Sequence, residues 1–555
     1  MGSYLNPGKQ GYQMAVNSEI FVDKTEMIRY LNTVVNTQQR FVSVSRPRRF
    51  GKSMAADMIC AYYDREADSR ELFENKKLAL SGNVQASGKE RKWDAYMGRF
   101  DVVYIVMTKF FKKKKTVEEA LSDMQKLVIR DFKKAYPEID YYDDKNLIQT
   151  IEDVYSETDR QLVIIIDEWD AVFRIRQNDK EGQTEYLDFL RDLMKDNNHV
   201  ALAYMTGILP IKKYGEHSAL NMFDEYSIMQ PMELAEYTGF TEEEVRELCD
   251  RYDMSYDEIS NWYDGYLISN TIPISKRKQF RDGNFVEHRF SIYSPLSVVN
   301  AMRSGIIRNY WNKTESYEAL AEYIRKDYDG LKESVAILMD GGRLSIDTST
   351  YQNDMTTFTG RDDVLSLLVH LGYLGFDDAS CEVFIPNREI LDEFRTSTKG
   401  KEWTDTLKSF EISLNLLKAT WECDADKVAE LVEDAHDKAG NRTYNDEAAL
   451  SYGIQLAYYA AQKYYTKILE LDTGKGYADI AYLPAPKYSD KPALLIELKY
   501  GKSTEVAMNQ IRRQRYLDRF EHYKGNILII GINYDRDITT SSGEFKHHRC
   551  VIEKA

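Results

Sequence analysis

An α/β fold, doubly wound in its N-terminal part, is predicted by three features of the 555-residue sequence. Short apolar runs at 41–45, 102–107, 162–166 and 201–205 are separated by stretches long enough for helices, the pattern of parallel strands buried on both faces. From about Ala235 charged, helically spaced stretches take over, and near Tyr444 the alternation of helix and strand resumes. Three parts are therefore expected: residues 1–232, a mainly helical lid and linker region over 233–440, and a small α/β domain over 441–555.

The composition narrows the class. With 30% charged and 43% hydrophobic residues the chain has enough apolar surface to fold, and little disorder is expected. A net charge of −16 argues against a protein that coats nucleic acid with its whole surface, because such binding rests on neutralising phosphates. The acidity lies mostly upstream of the last part, so a local basic path there stays open. Five cysteines without paired spacing suggest neither a zinc site nor a disulfide framework, and a reducing cytoplasm fits them. No signal-like segment opens the sequence and no apolar run reaches the roughly 18 residues of a membrane span, so no membrane partner is expected.

The first strand, Phe41–Ser45, runs straight into Arg46-Pro47-Arg48-Arg49-Phe50-Gly51-Lys52-Ser53. Phosphate binding needs a strand ending in a tight loop, inward backbone N–H groups, a lysine for the β- and γ-phosphates and a hydroxyl for Mg²⁺. Met54, Met58 and Tyr62 recur at helical spacing after Lys52-Ser53, so the loop opens a helix whose positive end faces the phosphates. The eight residues 46–53 are thus expected to bind ATP, with Ser53 on the metal. Arg46 replaces the first glycine usual in such loops, which puts the first turn in question and would bring a further cation to the phosphates.

The run at 162–166 ends in Asp167-Glu168, where the acidic pair of a P-loop ATPase belongs. Asp167 is expected to hold Mg²⁺, directly or through water, and Glu168 to activate the attacking water, since phosphoryl transfer needs positioning and charge neutralisation more than covalent chemistry. Asp170 reads as structural. Thr206, ending another strand, is placed to sense the γ-phosphate. In the middle region, Thr241 before Glu242-Glu243-Glu244 reads as a helix N-cap.

A second constellation lies near the C-terminus. Gly474-Lys475-Gly476 makes a turn, Asp479 follows on a strand, and Glu497-Leu498-Lys499 closes a strongly apolar one. Period-two alternation sets Leu494, Ile496 and Leu498 on one face and Glu497 with Lys499 on the other. Two carboxylates and an ammonium can converge there, as Mg²⁺-dependent phosphodiester hydrolysis requires. Asp479 and Glu497 are the expected metal ligands, with Lys499 orienting water or offsetting charge. Glu447, near the start of an upstream helix, is a further metal-ligand candidate. Gln510 is a catalytic candidate, for contact with metal-bound water or the substrate phosphate, and Arg512-Arg513-Gln514-Arg515 is a candidate for tracking a nucleic-acid backbone. An acid followed some way on by acid-x-lysine is the PD-(D/E)xK pattern.

Together these motifs resemble bacterial two-part proteins that join an AAA-ATPase-like domain to a PD-(D/E)xK nuclease superfamily domain. The resemblance is carried by Phe21-Val22-Asp23-Lys24-Thr25, the segment 45–53, Ile166-Asp167-Glu168-Trp169-Asp170, Met205-Thr206-Gly207-Ile208, Trp262-Tyr263-Asp264-Gly265-Tyr266, and Asp479 with Glu497-Leu498-Lys499. It covers nearly the whole chain. It implies a P-loop NTPase sheet at one end and a restriction-endonuclease-like fold at the other, and within it Arg46 is ordinary. Trp169 stands where a tyrosine is expected.

Two functions fit. One is an ATP-regulated, Mg²⁺-dependent nuclease acting on nucleic acid, with DNA preferred, for which defence or mobile-element biology would be a suitable setting by analogy. The other is a nucleotide-dependent switch or assembly protein whose C-terminal domain binds nucleic acid or a protein without cutting. A homo-oligomer is allowed by either and required by neither.

Overall fold

The computed structural model describes residues 2–86, 89–211, 220–270, 288–311, 316–325, 328–439, 447–472, 477–485, 488–501, 504, 508, 526–535 and 547–555. They form two compact units: residues 1–329 with 345–396, and residues 330–344 with 397–555. The expected middle region is shared between them.

The first unit is built on five parallel strands, β1 (Phe41–Ser45), β2 (Asp101–Val106), β3 (Leu162–Asp167), β4 (Val200–Gly207) and β5 (Asp224–Tyr226), in the order β2-β3-β4-β1-β5. Every residue of β1, β3 and β4 is buried, as a sheet covered on both faces requires. Val42, Val44, Val163, Ile165, Leu202 and Tyr204 share one core with helices α1 (Glu26–Val34) and α2 (Lys52–Tyr63). Because β4 lies between β1 and β3, with Ser45 beside Gly207 and Ile166 beside Met205, the ends of all three strands meet at one edge.

A short helix α3 (Ala171–Ile175) follows β3, and α4 (Glu242–Tyr252) begins with the expected cap. Thr241 accepts from the Glu244 N–H while the Glu244 carboxylate accepts from the Thr241 N–H, a reciprocal pair that satisfies two otherwise orphaned donors. A small antiparallel sheet (Phe240–Thr241, His288–Tyr293, Tyr266–Asn270) and helix α5 (Arg388–Ser397), apart from its last residue, belong to the same unit.

In the second unit, helices α6 (Lys401–Trp421), α7 (Ala425–Ala439) and α8 (Glu447–Ala457) pack on a mixed sheet of β6 (Tyr465–Asp472), β7 (Tyr477–Pro484), β8 (Ala493–Tyr500), β9 (Ile527–Tyr534) and β10 (His548–Lys554), ordered as in sequence. Only β8 and β9 run parallel. Leu494, Ile496 and Leu498 enter the core shared with the helices, and Ala493 and Leu495 enter a smaller core on the opposite face, as period-two alternation dictates. After β8 the sequence predicts a helix from Glu505 to about Tyr523; it lies outside the described residues, apart from Thr504 before it and Met508 within it. Strands β5 and β10 are absent from the sequence reading. Three residues are too few to show a period in β5, and β10 opens on His548, Arg549 and Cys550 rather than on an apolar run.

Among the described residues no helix is long and apolar enough to cross a membrane. All five cysteines are free.

Candidate nucleotide and phosphodiester sites

The phosphate loop leaves β1 at Ser45, and the Arg46 N–H still donates to the Gly207 carbonyl at 3.1 Å, extending the ladder by one rung. The loop closes at Gly51, whose φ of 85° is a left-handed conformation that favours glycine, and α2 begins at Lys52. Arg49 also takes a positive φ, 71°, whereas Arg46 does not. This removes the objection to the missing first glycine, since the backbone at 46 accepts a side chain without strain.

The Arg46 side chain does not join the phosphate surface. It is fully buried and donates to the carbonyls of Ser45 at 2.9 Å, Tyr226 at 2.7 Å and Leu234 at 3.4 Å, so it stitches the loop to β5 and the segment beyond. Burial lowers its pKa to about 10, which leaves it charged at neutral pH. The expectation of a cation aimed at the phosphates is corrected for this residue: carbonyl oxygens in the interior compete successfully for its fork. Pro47 is buried against Gly372, Arg48 is exposed, Arg49 donates to the Trp311 carbonyl, and Phe50 packs edge-on against Tyr266 at 5.2 Å.

Lys52 lies under the loop, its ammonium donating to the carbonyls of Arg46 at 2.9 Å and Pro47 at 2.8 Å. Burial lowers its pKa to about 8, opposed by the nearby carboxylates of Asp170 and Asp167. Asp167 collects two hydroxyls: Ser53 Oγ donates to Oδ2 at 2.7 Å, and Thr206 Oγ1 donates to Oδ1. The adjacency of β3, β4 and the loop brings these three residues together from sequence positions far apart. Glu168, at φ 55°, points its partly exposed carboxylate toward Arg174 Nη2 at 3.8 Å. Trp169 is wholly buried, so the unexpected indole stays in the interior, and its backbone N–H donates to the Thr206 carbonyl at 2.9 Å.

Beside Gly51 opens an apolar pocket whose lining includes Phe21, Val22, Phe50, Met54, Tyr237 and Phe240. Phe21 and Val22 belong to the segment Phe21-Val22-Asp23-Lys24-Thr25, to which the sequence alone assigns no chemistry.

In the second unit, β7 and β8 bring Asp479 opposite Glu497. The Asp479 Oδ2 accepts from the Leu498 N–H at 2.7 Å, a side chain taking the place of a ladder carbonyl. Glu497 is fully buried, and its Oε1 accepts from Lys499 Nζ at 2.9 Å; that ammonium also donates to the Leu498 carbonyl at 2.8 Å. A buried ion pair contributes little net stability, because desolvation offsets its attraction, so stability alone gives no reason for this pair. The side chain of Glu447, at the first residue of α8, and the whole of Gln510 and of residues 512–515 lie outside the described residues. Among the described residues no third acid, histidine or cysteine completes a metal-binding group.

Both donor sets suit Mg²⁺. Each offers hard oxygen ligands, carboxylate with hydroxyl in one case and two carboxylates in the other, and Mg²⁺ is usually held by one or two carboxylates together with substrate phosphates and water.

The architecture is that of a parallel-sheet unit with a loop between its first strand and helix, joined to a unit with an acid-acid-lysine cluster. Residues 10–215 match the family described as predicted AAA-ATPase, and residues 451–542 match the PD-(D/E)XK nuclease superfamily, so the chain combines an AAA-ATPase-like domain with a C-terminal PD-(D/E)XK superfamily domain. No curated protein matches the sequence. Two solved structures of Aeropyrum pernix proteins share some similarity. The ORC1 protein, solved in complex with DNA, is 11% identical, with 73% of this chain and 100% of that one covered and a TM-score of 0.26. The ORC2 protein, solved as ADPNP-ADP complexes, is 10% identical, with 69% and 96% covered and a TM-score of 0.29.

The sequence reading missed Arg174 and gave Asp170 no partner. Their spacing of four residues, at the start of a helix after an acidic strand end, was the available signal.

Proposed function

We propose that this chain binds and hydrolyses ATP in its first unit and cleaves nucleic acid, with DNA as the preferred substrate, in its second. The observation that carries the ATP reading is the convergence of Ser53, Thr206 and Asp167 beside the buried ammonium of Lys52. Lys52 exchanges its two loop carbonyls for β- and γ-phosphate oxygens, and the N–H groups at the start of α2 face the same anion. Asp167 and Ser53 hold Mg²⁺, Thr206 contacts the γ-phosphate, and Glu168 orients the attacking water.

In the second unit Asp479 and Glu497 hold Mg²⁺, while Lys499 positions water or balances charge developing on the phosphate. The metal, when bound, polarises the phosphate and favours deprotonation of the attacking water. Desolvation of the Glu497–Lys499 pair supports this assignment, since electrostatic stabilisation acts more strongly where water is excluded.

The test is a nuclease assay on single- and double-stranded DNA and RNA with Mg²⁺ or Mn²⁺, with and without ATP, comparing wild type with Glu497→Ala. Metal-dependent cleavage by wild type that disappears in the variant is expected. Absence of cleavage on every substrate by wild type removes the nuclease reading and leaves a nucleotide-dependent switch.

A further inference from the structure

Arg174 lies on α3, and its side chain is only 11% exposed. Its Nε donates to Asp170 Oδ2 at 3.1 Å and its Nη2 to Asp170 Oδ1 at 3.4 Å, while Nη2 stands 3.8 Å from Glu168 Oε2. One planar fork therefore serves two carboxylates, a geometry available to a guanidinium and not to an ammonium.

Asp170 is fully buried and also accepts from the N–H groups of Ile208 and Leu209, each at 3.1 Å. These residues follow Thr206-Gly207 at the end of β4. The packing there is close: a Cβ on Gly207 would stand 2.6 Å from Trp169 Nε1 and 3.1 Å from Asp170 Oδ1. A continuous set of contacts thus runs from the end of β4, through Asp170 and Arg174, to Glu168. Glu168 holds a left-handed backbone conformation at φ 55°, which is strained for a residue with a side chain and persists where surroundings enforce it. The N–H of the next residue, Trp169, is fixed to the Thr206 carbonyl. The backbone aims Glu168 and the guanidinium faces its carboxylate.

We propose that Arg174 is the positioning residue for Glu168, tying that carboxylate through Asp170 to the strand end that carries Thr206. The inference rests on the reading of Glu168 as the group that orients attacking water. In this role Arg174 acts through Glu168 and not on the nucleotide directly. Its contribution is to keep Glu168 in register with Thr206, so that a γ-phosphate seated against Thr206 meets a correctly directed carboxylate.

The experiment measures ATP binding and steady-state ATPase activity of the full chain for wild type, Arg174→Gln, Arg174→Lys, Glu168→Gln and the double variant Glu168→Gln/Arg174→Gln. A misdirected carboxylate lowers turnover by about 10- to 100-fold while the KM and the dissociation constant for ATP stay within about threefold. Lysine restores part of kcat, because it keeps the charge and loses the fork. The double variant is no slower than Glu168→Gln alone, since Arg174 acts through the group already removed. Arg174→Gln leaves Asp170 buried without its cation; should that chain fail to fold, Arg174→Lys decides, a selective fall in kcat supporting the proposal and a wild-type kcat overturning it.

Three other results also overturn it: a folded Arg174→Gln with kcat within about twofold of wild type, parallel loss of binding and turnover without rescue by lysine, or a further large loss in the double variant. A wild-type chain that binds ATP and never hydrolyses it removes the role of Glu168 and this proposal together. An active wild type with an indifferent Arg174→Gln removes this proposal alone.

Discussion

Ser53 Oγ donates to Asp167 Oδ2 at 2.7 Å, joining the first turn of α2 to the end of β3 across 114 residues of sequence. The contact fixes the phosphate loop relative to the acidic strand end before any phosphate arrives, which lowers the ordering cost of binding. In the proposed reading Lys52 is the element of this arrangement that meets the phosphates directly. Lys52→Ala is expected to lower ATP affinity by at least about 100-fold, because a charge-assisted contact in a desolvated site is worth several kcal/mol. Titration with a fluorescent ATP analogue measures this, and unchanged affinity removes Lys52 from the phosphate site.

In the proposed reading Glu168 separates binding from turnover. Its carboxylate makes no hydrogen bond or ion pair with Lys52 or Ser53 among the described residues and acts on Lys52 only at longer range, so Glu168→Gln is expected to leave the loop intact. Turnover is expected to fall by about 100-fold or more with ATP affinity little changed, since only the orientation of water is affected. Hydrolysis at the wild-type rate would assign the catalytic carboxylate elsewhere.

Glu389 gives the first unit a pH-dependent stability. Its buried carboxylate accepts from Ser297 Oγ at 2.7 Å and from the N–H groups of Tyr310 and Trp311 at 2.6 and 3.0 Å. Burial outweighs these donors and, with the negative charge of Glu393 nearby, pushes its pKa up to about 7 from 4.5. The folded chain therefore keeps this proton to a higher pH than the unfolded chain. The contribution is fully present below about pH 4.5 and is lost as pH rises through about 7, amounting to at most about 3 kcal/mol. Glu389→Gln retains an acceptor for the two N–H groups and removes the titration. The stability difference, wild type minus variant, is expected to decline between pH 4.5 and 7 in denaturant unfolding. A comparison against the variant is needed because buried His199, its pKa lowered to about 4, slopes the opposite way. A difference that stays flat across the range removes Glu389 as the source.

What was legible in the sequence follows from what a linear pattern can carry. Strands β1, β3 and β4 were readable because a parallel strand buried on both faces must be an unbroken apolar run, and Asp167 and Glu168 were readable because they end one. Glu497 and Lys499 were readable from alternation, which fixes the face of every residue once a strand is known. Direction within a loop is not encoded in this way. Arg46 sits among three arginines with equal claims on phosphate, and only packing shows that β5 and the Leu234 carbonyl capture it while Arg48 remains in solvent. The Arg174 contacts depend on how α3 folds back after β3, which spacing alone does not determine.

Arg46 supplies the sharpest separation between a structural and a ligand-binding arginine. Its fork satisfies carbonyl oxygens of Ser45 and Tyr226 that no water reaches, and each such acceptor left bare costs about 1–3 kcal/mol. Arg46→Ala adds a cavity to that loss, so a destabilisation of about 3–5 kcal/mol is expected. Arg46→Met fills the space and removes a buried charge, and its destabilisation is expected to be smaller because only the unmet carbonyls remain. ATP affinity of the folded Met variant should stay within about threefold of wild type, since the side chain points away from the phosphates. Thermal unfolding without nucleotide and ATP titration well below the midpoint separate the two effects. A Met variant with unchanged stability and much weaker ATP binding would place the guanidinium back on the phosphates.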